Sequence, residues 1–224
     1  MILSPELVGR MKHFSTINKG IEFKKGNKLS TISPSKTVLA EVTLKDDITE
    51  NFCIGDLTEF MSVSSMYDPE IIIDGTDIHF NKNARKSKTK FRQSEKSVMI
   101  LPPEKMLVLP SIDCSFSVTA EDLEWILKNA SILSSVHIAV ESDGDTISIS
   151  TFDAKNDSSH INSTEIGEGN GKSFKVVFSV ENLKIIPGPY DVNISMKGFS
   201  HFKNTKEDIQ YWIALEKNFC VFGS

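Results

Sequence analysis

One order of elements occurs twice in this chain, at a spacing of about 120 residues, and that duplication restricts the fold more than any single motif. In the first half, Ser4-Pro5-Glu6 has the residues that cap a helix and suit its first turn. Leu7, Met11, Phe14 and Asn18 then recur at spacings of three and four, leaving Gly9, Lys12, His13 and Thr16 on the other side. Residues 21–24, 28–33 and 37–44 alternate in the manner of antiparallel strands, with a turn at Lys25-Gly26-Asn27. Phe52-Cys53-Ile54 leads into a second helix through Asp56, Leu57, Phe60 and Met61, which ends before Pro69. A hairpin is predicted around Gly75.

The second half repeats this order. Ser115 to Val118 reads as a strand, and Thr119-Ala120-Glu121-Asp122 as a helix start whose apolar side is Leu123, Ile126, Leu127 and Ala130. A hairpin turns at Asp143-Gly144, and a strand is predicted near His160 to Ile166. Phe178-Ser179-Val180-Glu181-Asn182-Leu183 matches Phe52-Cys53-Ile54-Gly55-Asp56-Leu57 as Phe-x-aliphatic-x-x-Leu, and Pro187-Gly188 closes that run. Residues 190–197 and 209–216 read as strands. The expected organisation is a domain over 1–101, a connector over 102–114 and a second domain over 115–224. Prolines at 102, 103 and 110 favour an extended connector.

Composition removes several classes of function. No apolar run approaches the roughly 18 residues that span a bilayer, and the first residues lack a signal peptide's basic start and apolar centre. Cys53, Cys114 and Cys220 are widely spaced with no nearby histidine partner, so a disulfide framework or zinc site is not indicated. The five histidines are scattered, with no ligand spacing for a metal, and no cofactor is expected. Gly167 to Ser173 (GEGNGKS) imitates a phosphate-binding loop but is one residue short, and a β-rich run follows where a helix would be needed. A hairpin loop is the better reading. No active site is expected.

The net charge of −5 argues against a uniformly basic, nucleic-acid-coating surface, yet seven of the 25 basic residues lie between positions 81 and 96. Lys86, Lys88, Lys90 and Arg92 would form one basic face of a strand, read either as a solvated edge protected by its lysines or as a direct DNA contact.

Taken together, Leu7 to Gly20, Phe52 to Phe60, Thr119 to Leu127, Phe178 to Tyr190 and Tyr211 to Glu216 resemble the sliding clamps of T-even-type bacteriophages, within the wider clamp superfamily, over nearly the whole length. The resemblance implies an α+β chain of two tandem clamp-type domains, each with two helices on antiparallel sheets. It implies a homotrimeric ring around duplex DNA with its helices facing the hole, joined edge to edge; those edges are expected near Val98 to Leu101 and His160 to Ile166. Implied partners are double-stranded DNA, the replicative polymerase, a clamp loader and, for late transcription, a sigma-like factor and its co-activator, in the cytoplasm of an infected bacterium and without a membrane. Arg10, Lys12, His13, Lys128 and Lys184 are the candidate DNA-facing residues. Met106, Leu107, Val108 and Leu109 either pack on the second domain or border a groove for partner peptides. The alternative function is an oligomeric adaptor of the same fold that never encircles DNA.

Overall fold

Ser4 starts the first helix, α1 (Pro5–Phe14), by accepting the Leu7 N–H on its hydroxyl at 3.3 Å. The computed structural model describes residues 1–105, 107–156 and 158–223. The chain divides into two compact units, Met1–Lys105 and Met106–Ser224, so the boundary falls inside the proline-flanked stretch read as a connector.

In the first unit α1 is followed by β1 (Ile21–Phe23), β2 (Gly26–Ile32), β3 (Val38–Ile48) and β4 (Phe52–Ile54). β2 and β3 form an antiparallel hairpin, whereas β1 pairs with β4. The predicted turn at Lys25-Gly26-Asn27 therefore redirects the chain between two pairings. Gly26 adopts φ 115° there, a backbone that side chains with a Cβ rarely enter. Across the β1–β4 pair Phe23 and Phe52 stack with ring centroids 4.2 Å apart.

Asp56 then caps α2 (Leu57–Ser64), its carboxylate accepting the Thr58 and Glu59 N–H groups at 2.9 and 3.1 Å. β5 (Ile71–Asp74), β6 (Asp77–Lys82) and β7 (Ser87–Arg92) make an antiparallel meander. Phe60 of α2 packs on it, 5.4 Å from Phe80 and 5.5 Å from Phe91 between centroids. The outer strands of this sheet are β5 and β7. Val98, expected to begin an edge running to Leu101, instead ends a 3-10 turn (Lys96–Val98), and residues 99–101 belong to no strand. Val98 and Ile100 are exposed, at 78% and 43%, while Met99 and Leu101 are half-buried.

The second unit opens with β8 (Cys114–Val118) and α3 (Ala120–Ile132), capped by Thr119, whose hydroxyl accepts the Asp122 N–H at 3.1 Å. β9 (His137–Asp143), β10 (Thr146–Phe152), β11 (Asn162–Glu168) and β12 (Ser173–Ser179) follow, then β13 (Tyr190–Ser195), β14 (Phe199–Asn204), β15 (Ile209–Ala214) and β16 (Val221–Phe222). One sheet has the order β11-β10-β9-β12-β16, and the other runs β15-β14-β13-β8 within this unit; the pairings given are antiparallel. Between them lies an apolar core that includes Phe116, Leu123, Ile126, Val140, Phe178 and Phe202.

The halves differ at the second helix. Where α2 stands in the first unit, the second has a single 3-10 turn, Val180–Asn182. Pro187 disfavours helical backbone at Ile186, and the β-branched pair Ile185-Ile186 adds to that resistance. The expected second helix of this half is thus reduced to a turn, although Leu183 is buried just as Leu57 is. The described residues contain three α-helices over antiparallel sheets, an α+β architecture.

Candidate functional site

Leu7, Met11 and Phe14 bury one side of α1 and leave Lys12 exposed on the other, with Arg10 and His13 half-buried at its flanks. His13 rests against Phe14, 5.8 Å between centroids. Burial, reinforced by the neighbouring Arg10 charge, lowers its pKa from 6.5 to about 4. The imidazole is therefore neutral at neutral pH, and the α1 face owes its positive charge to Arg10 and Lys12. α2 adds no cation: its sequence is LTEFMSVS, and Asp56 and Glu59 sit at its start.

On α3 the buried side is Leu123, Ile126 and Ala130, with Leu127 half-buried. Lys128 is exposed, but it shares the outward surface with Glu121, Glu124 and two large apolar side chains, Trp125 at 51% exposure and Ile132 at 70%. Lys184 is exposed between buried Leu183 and Ile185, and Leu183 lines the same small apolar void as Leu123 and Ile126. Arg10, Lys12 and His13 thus share one helix, and Lys128 and Lys184 stand on elements that close one core. Helical periodicity gives the outward direction of Lys128 on α3, but Trp125 and Ile132, exposed on the same surface, were not placed by it.

The basic segment forms β7 as its alternation requires. Lys88, Lys90 and Arg92 are exposed, while Ser87, Thr89 and Phe91 face inward. Asp77 on β6 meets Lys90 at 3.4 Å and Arg92 at 3.5 Å. Lys86 is not on that face; it ends the short turn Asn83–Arg85 in the left-handed conformation, φ 53°.

Within the connector, residues 107–109 belong to no helix or strand; Leu107 and Leu109 are half-buried and Val108 is 75% exposed. Met106 lies outside the described residues. The glycine-rich stretch links β11 to β12, so strands flank it on both sides and no helix N-terminus faces it. The Gly169 N–H donates to the Asp145 carbonyl oxygen at 2.6 Å and the Gly171 N–H to that of Gly144 at 2.9 Å. A Cβ on Gly169 would stand 2.3 Å from the Gly144 oxygen, so the glycine is there for close approach of two turns and not for phosphate.

Two tandem α+β units of this construction define a clamp-type chain, the DNA clamp fold. The fold of proliferating cellular nuclear antigen from Entamoeba histolytica superposes with a TM-score of 0.63 at 10% identity, covering 93% of this chain and 94% of that one. Sequence carries the relation further: residues 115–217 match the family described as gp45 sliding clamp, C terminal. The chain is 28% identical over 221 residues to the sliding clamp of Enterobacteria phage T4, covering 96% of this chain and 97% of that protein. It is 25% identical over 227 residues to the sliding clamp of Vibrio phage KVP40, covering 96% and 99%.

Proposed function

We propose that this chain is a sliding clamp, three copies of which close into a ring around duplex DNA and tether the replicative polymerase to it. The observation that carries the reading is the tandem pair of clamp-type units in a chain related along nearly its full length to phage sliding clamps. Two units per chain make six in a closed trimer, and closed cyclic assembly leaves no interface unsatisfied.

In this reading Arg10, Lys12, Lys128 and Lys184 line the hole, with His13 present as a neutral neighbour. A few exposed lysines and arginines attract phosphate through counterion release without reading bases, which lets the ring slide. Residues 106–109 border the docking groove for polymerase and clamp-loader tails, and a sigma-like factor and co-activator of late transcription use the same ring. The protein works in the cytoplasm of the infected bacterium as a tether, with no chemical step of its own.

Light scattering on the free protein tests the assembly, with a trimer expected. Loading on circular and on linearised DNA tests the encircling: a ring stays on the circle and runs off the ends. Equal loss from both forms would favour the adaptor that does not encircle DNA. Glu121, Glu124 and Trp125 around Lys128 give that second reading its support, since such a surface suits a protein partner better than phosphate.

A further inference from the structure

The meander β5-β6-β7 turns Phe80 and Phe91 toward Phe60 of α2 and presents its other face to solvent. Register defines what that face holds, because residues directly opposite one another in a ladder point to the same side. Ile72 pairs with His79 and His79 with Lys90, so these three form one row across the sheet; Asp74, Asp77 and Arg92 form the next. Ile2 bridges to Glu70, two residues before Ile72, and so extends the same face beyond β5.

The face is divided. On the β5 side Ile72 and Ile2 are large apolar side chains at 52% and 67% exposure, bordered by exposed Glu70 and Asp74. On the β7 side Lys88, Lys90 and Arg92 are exposed, and the turn before the strand adds Arg85 and Lys86. Lys90 and Arg92 share Asp77, whereas Arg85, Lys86 and Lys88 meet no carboxylate among the described residues. The β7 side therefore carries a surplus of positive charge on a chain that is acidic as a whole.

Lysines that only guard a strand edge need no apolar neighbours, and scattered surface isoleucines need no cations. Together they match a partner that is acidic along one side and apolar along the other. The outer strands of a three-stranded sheet lie about 10 Å apart, and an α-helix is about 10 Å across, so a single helix laid along β6 reaches both sides. Glu70 and Asp74 set its direction, since they repel carboxylates from the β5 side and leave them the β7 side. A DNA duplex is broader than this face. It would set phosphates over Glu70 and Asp74 as well as over the lysines, and the two isoleucines would have no counterpart on it.

We infer that the face of β5-β6-β7 turned away from α2 docks an acidic amphipathic helix of a protein partner, with its apolar residues on Ile2 and Ile72 and its carboxylates on Lys88 and the Arg85–Lys86 turn. The inference goes beyond the ring reading and does not require it, because every residue involved belongs to one unit. In a ring whose helices line the hole this face is turned outward, so a partner held there does not compete with DNA.

Fluorescence anisotropy of the full chain with a labelled helical peptide tests it, the peptide carrying leucines at i, i+4 and i+7 and glutamates along one flank. A peptide of the same composition in scrambled order is the control, and the helical one should bind about tenfold tighter or more. Arg85→Ala with Lys88→Ala should lower that affinity by about fivefold or more and flatten its dependence on salt. Ile72→Thr, which keeps the β-branch, should lower it by a similar factor with the salt dependence unchanged. Melting curves confirm that each variant folds, and Ile2→Ser replaces Ile72→Thr if β5 is disturbed. Leu107→Asp should bind the peptide as the parent does, which separates this face from the connector. Equal binding of the two peptides, parent-like binding by either variant, or loss of binding in Leu107→Asp overturns the docking face. A short DNA duplex that displaces the peptide, and whose own binding survives Ile72→Thr but fails in Arg85→Ala with Lys88→Ala, overturns it in favour of a DNA contact.

Discussion

Tyr190 and Tyr211 hold the backbone of one residue on both of its sides: the Tyr190 hydroxyl donates to the Ile186 carbonyl oxygen at 2.6 Å, and the Ile186 N–H donates to the Tyr211 hydroxyl at 3.1 Å. Both rings are fully buried and meet edge to face, 6.1 Å between centroids. They fix the segment that replaces the second helix of the C-terminal unit, and with it the position of Lys184. Tyr211→Phe keeps the ring but strips the acceptor from the Ile186 N–H, which should cost about 1 to 2 kcal/mol. Chemical denaturation checks this; a change near zero would mean that water replaces the hydroxyl at no cost.

Lys12→Ala with Lys128→Ala should reduce retention on circular DNA and flatten its dependence on salt. Both residues are exposed, so their removal leaves no cavity and melting should hardly change. Equal salt slopes for variant and parent would remove these helix faces from the DNA path and return β7 to consideration.

Leu107→Asp or Leu109→Asp should weaken binding of a polymerase-derived tail peptide without changing the assembled mass. Both leucines are half-buried, and if they border the proposed docking groove, a carboxylate placed there costs roughly 2 kcal/mol or more. Fluorescence anisotropy of a labelled peptide provides the measurement. Undiminished affinity in both variants would assign the two leucines to internal contacts alone.

His13 gives a pH dependence whose sign is fixed. Its folded-state value, about 4, lies below the ordinary 6.5, so the unfolded chain takes up the proton first as pH falls. The stability it contributes is complete above pH 6.5 and is lost as pH drops toward about 4. His13→Gln should therefore lose less Tm between neutral and mildly acid pH than the parent. His201, also lowered chiefly by burial, acts in the same direction and leaves a residual slope. Parallel pH profiles for parent and variant would contradict the role of His13.

Much of the fold was legible in the residues because local signals agreed with one another. Ser4 and Thr119 cap helices as their types suggest, while Asp56, read as part of the second helix, caps it instead, and the duplicated Phe-x-aliphatic-x-x-Leu run marks matching buried positions at Phe52 and Phe178 and at Leu57 and Leu183. β14 was not legible: its buried residues include Ser200 and Asn204, which carry no hydrophobic period. The shortened helix was missed because the Leu183 match outweighed Ile185-Ile186-Pro187, whose backbone preferences prevailed. At the candidate site, periodicity gave the outward direction of Lys12 and Lys128. It gave neither the burial that neutralises His13 nor the exposure of Trp125, because both depend on neighbours distant in sequence or on packing that no local pattern encodes.

The single turn at Val180–Asn182, standing where the other half has an eight-residue helix, makes the two halves of the chain unequal. In a closed trimer the lining would then repeat three times per revolution and not six, with long and short faces alternating around the axis. A duplex threading such a hole would meet a three-beat corrugation in place of a uniform wall. The preferred tilt of the DNA would follow that beat, and rotation of the ring about the duplex would proceed in steps of one whole chain.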